Sequence, residues 1–584
     1  MGLLVQKFGG TSIGTIERIK SVAQKIAESK ELGDELVIVL SAMGKTTDDL
    51  TKLAQLINKN PPKREMDMLL ATGEQVSISL MAMALSEMGI PAIAMTGAQA
   101  GIVTESSHGR ARILEIRTER IKDLISQGFV VIVAGFQGTS LGSGGTAEIT
   151  TLGRGGSDTS AVALAAALNA DACEIFTDVS GVLTSDPRLV PNAKQMSNVS
   201  CDEMLELASL GAAVLHPRAV EIARNFGINL IVRSSWDEKP GTTLSSPSKR
   251  AVTKIGLEHV QPVDGLELLE NQALIGLSHV PDQPGVAANL FEALSNGGIN
   301  VDLIIQALHE GNSNDITFTV TEDEFIQSKN KSESILEKFG GELSIQRNMA
   351  KISISGAGIM GRPGIAATLF ETLSKAGINL RLIATSEVKV SCLIDGEFAK
   401  KALRAVGEAF ELNDKQIHIN PQVHTIYSPE VRGVALDPDQ AQISVRKVPD
   451  RPGIAASICS ALAEAGISLG TIVQSERQHS NGSRDISFTL KKNDLENAKY
   501  AISPLLAKWD KAELREGPEI AKVSAVGAGM RNTVGTAGRM FRSLADEGIN
   551  IEMIATSEIR TSCIVKAEDG IKALNVVHDF FKLG

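Results

Sequence analysis

The feature that most constrains the fold is a repeat in the second half of the 584-residue chain. Val280-Pro-Asp-Gln-Pro-Gly285 recurs as Val448-Pro-Asp-Arg-Pro-Gly453. A second pattern interleaves with the first, since Ile383-Ala-Thr-Ser-Glu387 recurs as Ile554-Ala-Thr-Ser-Glu558. The copies therefore follow one another in the order A, B, A′, B′. A duplication of this kind sets the architecture of the whole region.

Each copy predicts the same small α/β unit. In copy A, the strand Leu274–Ser278 is followed by the helix Gly285–Asn296 and the strands Asn300–Ala307 and Asp315–Thr321. This order predicts a ferredoxin-like βαββαβ unit of roughly 65 to 80 residues. Units of this size bury limited apolar surface alone, so we expect them to pair side by side.

The first half of the chain alternates short β-branched runs with helical patterns. The Ala-rich segment Ser157–Asn169 has strong helix propensity. Strands and helices in alternation predict an α/β fold, a mainly parallel sheet between helix layers. The predicted strands are Leu3–Phe8, Leu36–Leu40, Ile90–Met95, Phe129–Ala134, Ala172–Thr177 and Asn229–Arg233.

Two segments with little periodicity predict connectors between these regions. The first segment, residues 237–265, carries Lys-Pro-Gly and Ser-Ser-Pro-Ser. The second, residues 413–440, carries Pro421, Pro429 and Pro438. The predicted organisation is an α/β domain at 1–240, a connector at 241–265, copies A and B at 266–345 and 346–415, a connector at 416–440, and copies A′ and B′ at 441–516 and 517–584.

Composition excludes several classes of protein. Lys and Arg number 58 against 69 Asp and Glu, and the chain has 2 Trp and 2 Tyr, so it lacks the basic surface and stacking aromatics of a nucleic-acid binder. The five cysteines are scattered without a C-x-x-C pair, which disfavours a disulfide scaffold or structural zinc.

Met1 leads directly into a strand, and no apolar run approaches the length of a membrane span. We therefore expect a soluble cytoplasmic protein that binds no membrane.

Three loops of the first half carry features of a ligand site. Two of them follow buried strands, and parallel sheets bind ligands at the carboxyl ends of their strands. Lys7-Phe-Gly-Gly-Thr-Ser12 follows the first strand, Gly153-Arg-Gly-Gly-Ser-Asp158 precedes the Ala-rich helix, and Thr177-Asp178 begins a loop that reaches Asp186-Pro-Arg188. Adjacent glycines let backbone N–H groups approach a phosphate, and a helix N-terminus favours an anion. One such loop alone is more often a tight turn, but three in one domain indicate two anionic ligands.

Two other glycine motifs are not interpreted as nucleotide sites. Gly44-Lys45-Thr46 has the end of a P-loop sequence, but Val39 stands where the opening glycine is required. Gly356-Ala-Gly358-Ile-Met-Gly361 matches a dinucleotide fingerprint, but its counterpart Gly527-Ala-Gly529-Met-Arg-Asn532 does not. A tight turn before a small helix is the favoured interpretation of both copies.

The motifs together resemble those of a known family. Lys7-Phe-Gly-Gly-Thr-Ser12, Ala71-Thr-Gly-Glu74, Gly135-Phe-Gln-Gly138, Thr150-Thr-Leu-Gly-Arg-Gly-Gly-Ser-Asp158 and the loop from Thr177 resemble, in this order, the aspartate kinases of the amino-acid kinase superfamily. The four repeated units resemble ACT domains, the amino-acid-sensing modules that follow the kinase domain in that family. The resemblance covers nearly the whole chain.

The resemblance implies transfer of the ATP γ-phosphoryl group, with Mg²⁺ bridging the phosphates, to the side-chain carboxylate of L-aspartate. The product would be 4-phospho-L-aspartate, the entry to lysine, threonine and methionine synthesis. Because the attacking group is already a carboxylate, no general base is required, and catalysis should come from alignment and charge stabilisation.

Individual roles follow from the same resemblance. Lys7 would stabilise the transferring phosphoryl group and Asp158 would orient Lys7, while Glu74 would bind the substrate ammonium and Arg154 its α-carboxylate. Magnesium keeps much of its water, so no metal site of the protein's own is expected. The remaining predicted substrate residues are Ser41 and Thr47, and the predicted ATP residues are Lys7, Phe8, Gly9, Gly10, Thr177, Asp178, Asp186 and Arg188. Leu183 and Ala213 depart from the Tyr and Lys frequent in the family, which bears on ATP affinity.

The repeated units are expected to bind lysine, threonine or both as feedback effectors. The Asp-x-Pro-Gly loop faces a helix N-terminus, which suits an amino-acid carboxylate, and Gln and Asn side chains supply further hydrogen bonds. The predicted residues are Asp282, Gly285, Gln306 and Asn379 in the pair A–B, and Asp450, Gly453, Gln474 and Asn550 in the pair A′–B′. ACT units usually pair across a two-fold axis, so a homodimer or larger homo-oligomer is expected.

Two alternatives stay open at this point. The chain could be another amino-acid kinase, such as a glutamate or N-acetylglutamate kinase, or a catalytically inactive sensor that uses its repeated units alone. The joint presence of Lys7, Glu74, Arg154 and Asp158 disfavours an inactive sensor. His216, which precedes Pro217, is interpreted as a structural residue rather than a base.

Overall fold

The structure is a computed structural model that describes residues 2–141, 147–211, 214–246, 257–258, 262–309, 313–357, 359, 362, 364–421, 428–474, 482–509 and 511–584. The chain forms two compact units. The N-terminal unit comprises Met1–Leu183, Gln195–Ala208 and Ala213–Val260, and the C-terminal unit comprises Thr184–Lys194, Ser209–Ala212 and Gln261–Gly584. Of the residues singled out above, Ala213, Gly358 and Gly361 lie outside the described residues.

The N-terminal unit contains two sheets and helices that flank them. Its strands are β1 (Leu3–Phe8), β2 (Glu35–Leu40), β3 (Ala92–Met95), β4 (Ile102–Thr104), β5 (Ile113–Ile116), β6 (Val130–Ala134), β7 (Gln137–Leu141), β8 (Ala147–Thr151), β9 (Ala172–Thr177), β10 (Asn198–Ser200), β11 (Leu230–Ser234) and β12 (Thr242–Ser245). Its helices are α1 (Ile16–Glu31), α2 (Thr46–Ile57), α3 (Lys63–Glu87), α4 (Glu119–Ser126), α5 (Gly156–Leu168), α6 (Cys201–Ser209) and α7 (Pro217–Phe226).

The main sheet has eight strands in the order β10-β12-β11-β9-β1-β2-β6-β3. Strands β11, β9, β1, β2, β6 and β3 are the six strands predicted from the sequence, and each pairs with its neighbour in parallel. The predicted mainly parallel α/β sheet is therefore confirmed. Helix α5 is buried along nearly its whole length because its Ala and Ser side chains are small.

Two parts of this unit were not predicted. Strand β12, which lies in the segment interpreted as a connector, pairs antiparallel with β11. A second sheet has the order β5-β4-β7-β8 and is built from short strands that pass very close to other backbone. A Cβ atom at Gly97 would lie 2.1 Å from the Gln137 carbonyl oxygen, so glycine is required there. Short, glycine-dependent strands leave little periodicity for a sequence to show.

The C-terminal unit contains the four repeated copies. Its strands are β13 (Gly265–Pro281), β14 (Ile304–His309), β15 (Ser313–Thr321), β16 (Glu342–Ser355), β17 (Leu382–Thr385), β18 (Lys389–Asp395), β19 (Ile417–Ile419), β20 (Gly433–Pro449), β21 (Ile472–Gln474), β22 (Ser483–Lys491), β23 (Glu513–Glu516), β24 (Ile520–Val526), β25 (Met553–Thr556) and β26 (Arg560–Lys566). Its helices are α8 (Val286–Asn296), α9 (Phe325–Phe339), α10 (Ile365–Lys375), α11 (Ala399–Ala409), α12 (Ile454–Glu464), α13 (Leu495–Leu506), α14 (Thr536–Asp546) and α15 (Gly570–Phe580).

The copies form one continuous sheet, and the ferredoxin-like units are confirmed. The long strands β13 and β16 join A to B, and the long strand β20 joins A′ to B′ by pairing with both β22 and β24. Copy A then meets B′ where β14 and β25 pair antiparallel, with Ile305 opposite Ala555. Behind this junction α8 packs on α14, and the rings of Phe291 and Phe541 make an edge contact at 5.5 Å.

Copies B and A′ form the second side-by-side pair. Helix α10 packs on α12, and β17 packs on β21. The Thr385 hydroxyl donates to the Gly470 carbonyl oxygen at 2.9 Å across this junction. The spatial pairs are therefore A–B′ and B–A′, and the grouping of effector residues by sequence into A–B and A′–B′ is wrong. The reason is that the strand edges free to pair belong to copies that are not consecutive.

Within the part of the chain that the structure describes, one helix is long and apolar enough to cross a membrane by length and composition alone. Helix α3 has 25 residues, but it packs against the sheet of its unit and buries Ile78, Met81 and Leu85. A core helix meets the same criteria, so this observation is weak evidence for a membrane span.

Candidate active site and effector clefts

The centre of the candidate active site is an ion pair between two loops. Lys7 lies near the carboxyl end of β1, the central strand, and Asp158 lies in the first turn of α5. The Lys7 Nζ and Asp158 Oδ1 atoms are 2.6 Å apart, and both residues are about nine-tenths buried. The structure thus joins the first two glycine loops through the two residues predicted to be catalytic.

The loop after β1 packs closely on the chain after β2. Gly9 donates its backbone N–H to the Phe176 carbonyl oxygen at 3.3 Å, and Gly44 donates to the Gly10 carbonyl oxygen at 3.0 Å. A Cβ atom at Gly10 would lie 2.6 Å from the Ala42 carbonyl oxygen, so no other residue fits without a backbone shift. This contact places the glycine loop after β1 against the segment after β2 that carries the predicted substrate residues.

The loop before α5 has the backbone that its glycines predict. Gly153 and Gly155 have φ angles of +80° and +68°, a region that residues with a side chain rarely adopt. Arg154 lies between them and is exposed to solvent. His216 packs under this loop and caps α7 by accepting the backbone N–H of Arg218 at 3.4 Å. Burial lowers the pKa of His216, and its Nδ1 atom is already engaged by the Arg218 backbone N–H, which is consistent with the predicted structural role.

Glu74 is a buried carboxylate with an unused oxygen. It projects from α3, is 3% exposed, and accepts the Ala42 backbone N–H at 3.1 Å through Oε1. Its Oε2 atom is buried without a hydrogen-bond partner, and burial raises the pKa of Glu74 to about 7. An unpaired buried carboxylate of this kind is available to a cationic group of a ligand.

The other predicted substrate residues lie on the same side of this unit. Ser41 directly follows β2, and its backbone N–H donates to the Phe8 carbonyl oxygen at 3.2 Å. Thr47 is half-buried in the first turn of α2. Phe8 is fully buried and stacks on Phe176 at 4.6 Å, so its ring belongs to the core. A ligand could therefore contact Phe8 through its backbone alone.

The predicted ATP residues divide between the two units. Thr177 and Asp178 end β9 in the N-terminal unit, where the Thr177 hydroxyl donates to the Asp178 carboxylate at 3.2 Å. Asp186 and Arg188 lie in the segment Thr184–Lys194 of the C-terminal unit. Their side chains pair with each other at 2.6 Å, and the Arg188 guanidinium lowers the pKa of Asp186.

The first set of predicted effector residues lies at a cleft between copies A and B′. Asp282 accepts the side-chain amides of Asn314 at 2.9 Å and Asn550 at 2.8 Å, and Gln306 donates to the Ile551 carbonyl oxygen at 2.7 Å. Gly285, at the N-terminus of α8, has a φ angle of +99°. The cleft has a volume of about 20 Å³, room for about one water molecule.

The second set of predicted effector residues lies at a cleft between copies B and A′, which differs from the first in charge. Asp450 accepts the Asn379 side-chain amide at 3.0 Å, but its other oxygen pairs with Arg484 at 2.8 Å. Arg484 occupies the strand position of Asn314 and is 3% exposed. Gln474 donates to the Leu380 carbonyl oxygen at 3.4 Å, and Gly453 begins α12. Asn379 and Asn550 have thus exchanged partners relative to the sequence-based grouping.

A larger cavity between A and B′ was not predicted. Its volume is about 260 Å³, and its lining includes Asp302, Lys351, Arg531 and Glu558. Burial alone would raise the pKa of Glu558, but Lys389, Lys351 and Arg531 together lower it to about 2. The signal in the sequence is the repeated Ile-Ala-Thr-Ser-Glu motif that ends at Glu558, which defines the repeat but was not interpreted as part of a site.

Comparisons with known proteins agree with this geometry. Residues 2–234 match the profile described as the amino acid kinase family, and residues 274–331, 352–410, 441–502 and 523–581 match ACT domain profiles. An aspartokinase from Thermus thermophilus is 48% identical over 415 residues, which cover 71% of this chain and 100% of that protein. An aspartokinase from Geobacillus stearothermophilus is 46% identical over 415 residues, covering 71% of this chain and 98% of that protein.

A solved structure matches the full length. The crystal structure of aspartate kinase from Synechocystis has a TM-score of 0.86 and 50% sequence identity, and the match covers 100% of this chain and 98% of that chain. The fold, the glycine loops and the matched family profiles together define an amino-acid kinase that carries ACT domains. The chain belongs to the aspartate kinase, or aspartokinase, family. This membership decides against the alternatives of another amino-acid kinase and of an inactive sensor.

We predict that Glu74→Gln stabilises the protein at pH 8. The pKa of Glu74 is raised from 4.5 to about 7 on folding, so ionisation of the buried carboxylate destabilises the folded state increasingly from pH 4.5 to pH 7 and constantly above. The free energy of unfolding should therefore rise by about 1–3 kcal/mol at pH 8 and change little at pH 4. Urea denaturation at both pH values measures this, with Glu87→Gln on the exposed end of α3 as control. If Glu74→Gln changed the free energy of unfolding equally at the two pH values, the raised pKa of Glu74 would be contradicted.

Proposed function

We propose that this aspartate kinase transfers the γ-phosphoryl group of ATP to the side-chain carboxylate of L-aspartate and releases 4-phospho-L-aspartate. The observation that carries the proposal is the Lys7–Asp158 ion pair at the junction of two glycine loops. Asp158 fixes the position of the Lys7 ammonium at the carboxyl edge of the sheet. A fixed cation there stabilises the charge on the transferring phosphoryl group without reorganising during the reaction.

The substrate side of the proposal rests on two groups of opposite charge. The unpaired Oε2 atom of Glu74 accepts the ammonium of aspartate, whose positive charge also lowers the pKa of this carboxyl group. Arg154 binds the α-carboxylate with its planar guanidinium fork, and Ser41 and Thr47 hold the reacting end. Because the attacking carboxylate is already ionised, these residues act by alignment.

On the nucleotide side, Lys7 and the backbone N–H group of Gly10 contact the phosphates, and Thr177 and Asp178 lie beside them. The predicted donation from Gly9 would require its N–H to leave the Phe176 carbonyl oxygen. Mg²⁺ bound to ATP would supply charge neutralisation at the phosphates. Among the residues that the structure describes, no group of three or more His, Cys, Asp or Glu side chains is arranged to hold a metal ion.

A parallel assay tests the reaction. ADP release, followed by enzyme coupling, should require both L-aspartate and Mg²⁺, and hydroxylamine should trap the acyl phosphate as a hydroxamate. L-Glutamate and buffer serve as controls that should give neither signal. Hydroxamate formation with glutamate at an equal rate would contradict the assignment of aspartate as substrate.

We predict that Lys7→Ala lowers kcat by about 10² or more and changes the KM for aspartate by a few-fold at most, because the charge is used chiefly as the phosphoryl group transfers. Lys20→Ala, on the exposed face of α1, is the matched control and should leave kcat unchanged. Denaturation curves for both variants separate loss of catalysis from loss of folding, since Asp158 loses its partner in Lys7→Ala. Near-normal kcat in a folded Lys7→Ala protein would contradict the role.

For regulation, we propose that lysine, threonine or both bind the clefts at A–B′ and B–A′ and inhibit the enzyme. Because the cleft at A–B′ has room for about one water molecule, an effector must open it. An effector ammonium then replaces the Asn550 amide at Asp282, and its carboxylate takes the backbone N–H groups at the start of α8. Inhibition then requires the effector to bind the less active conformation better, typically by about 1–3 kcal/mol per site. The proposed roles in lysine, threonine and methionine synthesis follow from this feedback.

The two clefts should differ in their affinity for an ammonium group. At A–B′, Asp282 is bound by neutral amides and keeps its full negative charge, whereas at B–A′ the charge of Asp450 is balanced by Arg484. A cationic effector is therefore favoured at A–B′. The copies pair side by side within one chain, and pairing of ACT units across a two-fold axis, which would give a homodimer or larger assembly, stays a prediction, as does the location of the enzyme in the cytoplasm.

We predict different outcomes for Asp282→Asn and Asp450→Asn. Asp282→Asn preserves the acceptor for Asn550 but removes the charge, so the effector concentration for half-inhibition should rise about tenfold or more with little change in stability. Asp450→Asn leaves the buried Arg484 without its counterion and should lower the free energy of unfolding by about 3 kcal/mol. Inhibition curves with lysine and threonine, together with urea denaturation, measure both. Equal destabilisation by the two substitutions would contradict the difference in charge.

A further inference from the structure

The loop that carries Arg154 is anchored by a side chain that the proposed reaction does not use. Arg218 is the second residue of α7, and its Nη1 atom donates to the Leu152 carbonyl oxygen at 2.5 Å. Its Nη2 atom donates to the Ala111 carbonyl oxygen at 2.8 Å. Leu152 immediately precedes Gly153, so one guanidinium group fixes the chain two residues before Arg154.

The orientation of Arg218 is set by a buried carboxylate from a distant segment. Glu258 pairs with Nε and Nη2 of Arg218 at 2.7 and 2.8 Å, a bidentate geometry, and it accepts the Ile113 backbone N–H at 2.7 Å. Glu258 is 6% exposed and lies in the segment interpreted from sequence as a connector. Its backbone N–H also donates to the Ile113 carbonyl oxygen at 3.1 Å.

The N-terminus of α7 therefore contacts the loop on both sides of Arg154. Arg218 binds Leu152 on one side, and the His216 ring packs under Gly155 on the other, where a Cβ atom would lie 2.3 Å from the Cβ atom of His216. Gly153 and Gly155 have no side chains that restrict the backbone on either side of Arg154, and both occupy positive φ angles. A loop that must place a guanidinium fork accurately, with glycines on both sides of it, is therefore expected to need an anchor from outside the loop.

We propose that Arg218, oriented by Glu258, is a positioning residue that holds the loop in the geometry Arg154 requires to bind the carboxylate of the substrate. This inference rests on the proposed role of Arg154. Arg218 acts through the backbone at Leu152 and does not touch the substrate. Its loss therefore affects the binding of aspartate far more than that of ATP.

The test uses Arg218→Lys and Glu258→Gln in the full-length enzyme. A lysine cannot reproduce the fork and the two carbonyl contacts, so the KM for aspartate should rise about tenfold or more, with the KM for ATP within about twofold. Arg224→Lys is the matched control, because Arg224 lies on the same helix and pairs with Asp202 at 2.5 Å with similar burial. The double variant should raise the KM for aspartate no more than Arg218→Lys alone, since the two residues act as a unit.

Hydrogen exchange supplies a readout that does not depend on activity. The backbone amides of residues 153–157 should exchange about tenfold faster in Arg218→Lys and Glu258→Gln than in Arg224→Lys or the parent enzyme. Glu258→Gln keeps an acceptor for Arg218 and tests the inference if Arg218→Lys does not fold.

The outcomes separate this inference from the proposed function. An aspartate KM within twofold of the parent value in both variants, or equal effects of Arg218→Lys and Arg224→Lys, would overturn the positioning role. If exchange of the loop accelerates as expected but Arg154→Lys leaves the KM for aspartate unchanged, the loop anchor stands and the substrate role of Arg154 falls.

Discussion

The Lys7–Asp158 ion pair is the interaction on which the active-site geometry depends. It joins the end of the central strand to the first turn of α5, two elements that are 2.6 Å apart at these side chains and far apart in the chain. Removing one partner would leave the other charge buried and uncompensated, which is strongly destabilising. The pair therefore fixes the two glycine loops relative to each other, and the close approach of Gly10 to Ala42 extends this constraint to the segment beside Glu74.

Much of the N-terminal unit could be predicted because its signals are local. Six parallel strands follow correctly from β-branched runs, and Lys7 and Gly9 lie at the end of β1, the edge at which parallel sheets bind ligands. The loop that leads to Asp158 instead follows β8, which pairs antiparallel with β7, so that rule alone does not bring Asp158 to Lys7. The features that were not predicted from the sequence depend on tertiary contacts. An isolated sequence shows Glu74 as one more helical acid, since its burial and its raised pKa arise from the packing of α3 beside Ala42. Strand β12 and the sheet β5-β4-β7-β8 are short and rely on glycines at close crossings, so periodicity cannot reveal them.

The repeat showed that there are four similar units, but not which of them meet. Similar copies carry similar edges, so the sequence alone does not distinguish an A–B contact from an A–B′ contact. The structure resolves this by pairing β14 with β25, and it gives each cleft residues from non-consecutive copies. Duplication has then permitted divergence at equivalent positions. Asn314 and Arg484 face corresponding acids, and this one difference makes the charge of the two clefts unequal.

The pairing of copy A with B′ also determines the order in which the C-terminal unit can be completed on the ribosome. The hydrogen bond from the Ile304 backbone N–H to the Thr556 hydroxyl joins residues separated by 252 positions. Strand β14 is synthesised early and keeps an unpaired edge until almost the entire chain has emerged. Such an edge is a template for misassociation with another nascent chain. Contacts of this sequence separation also form slowly, so the last copy to be translated closes the regulatory sheet.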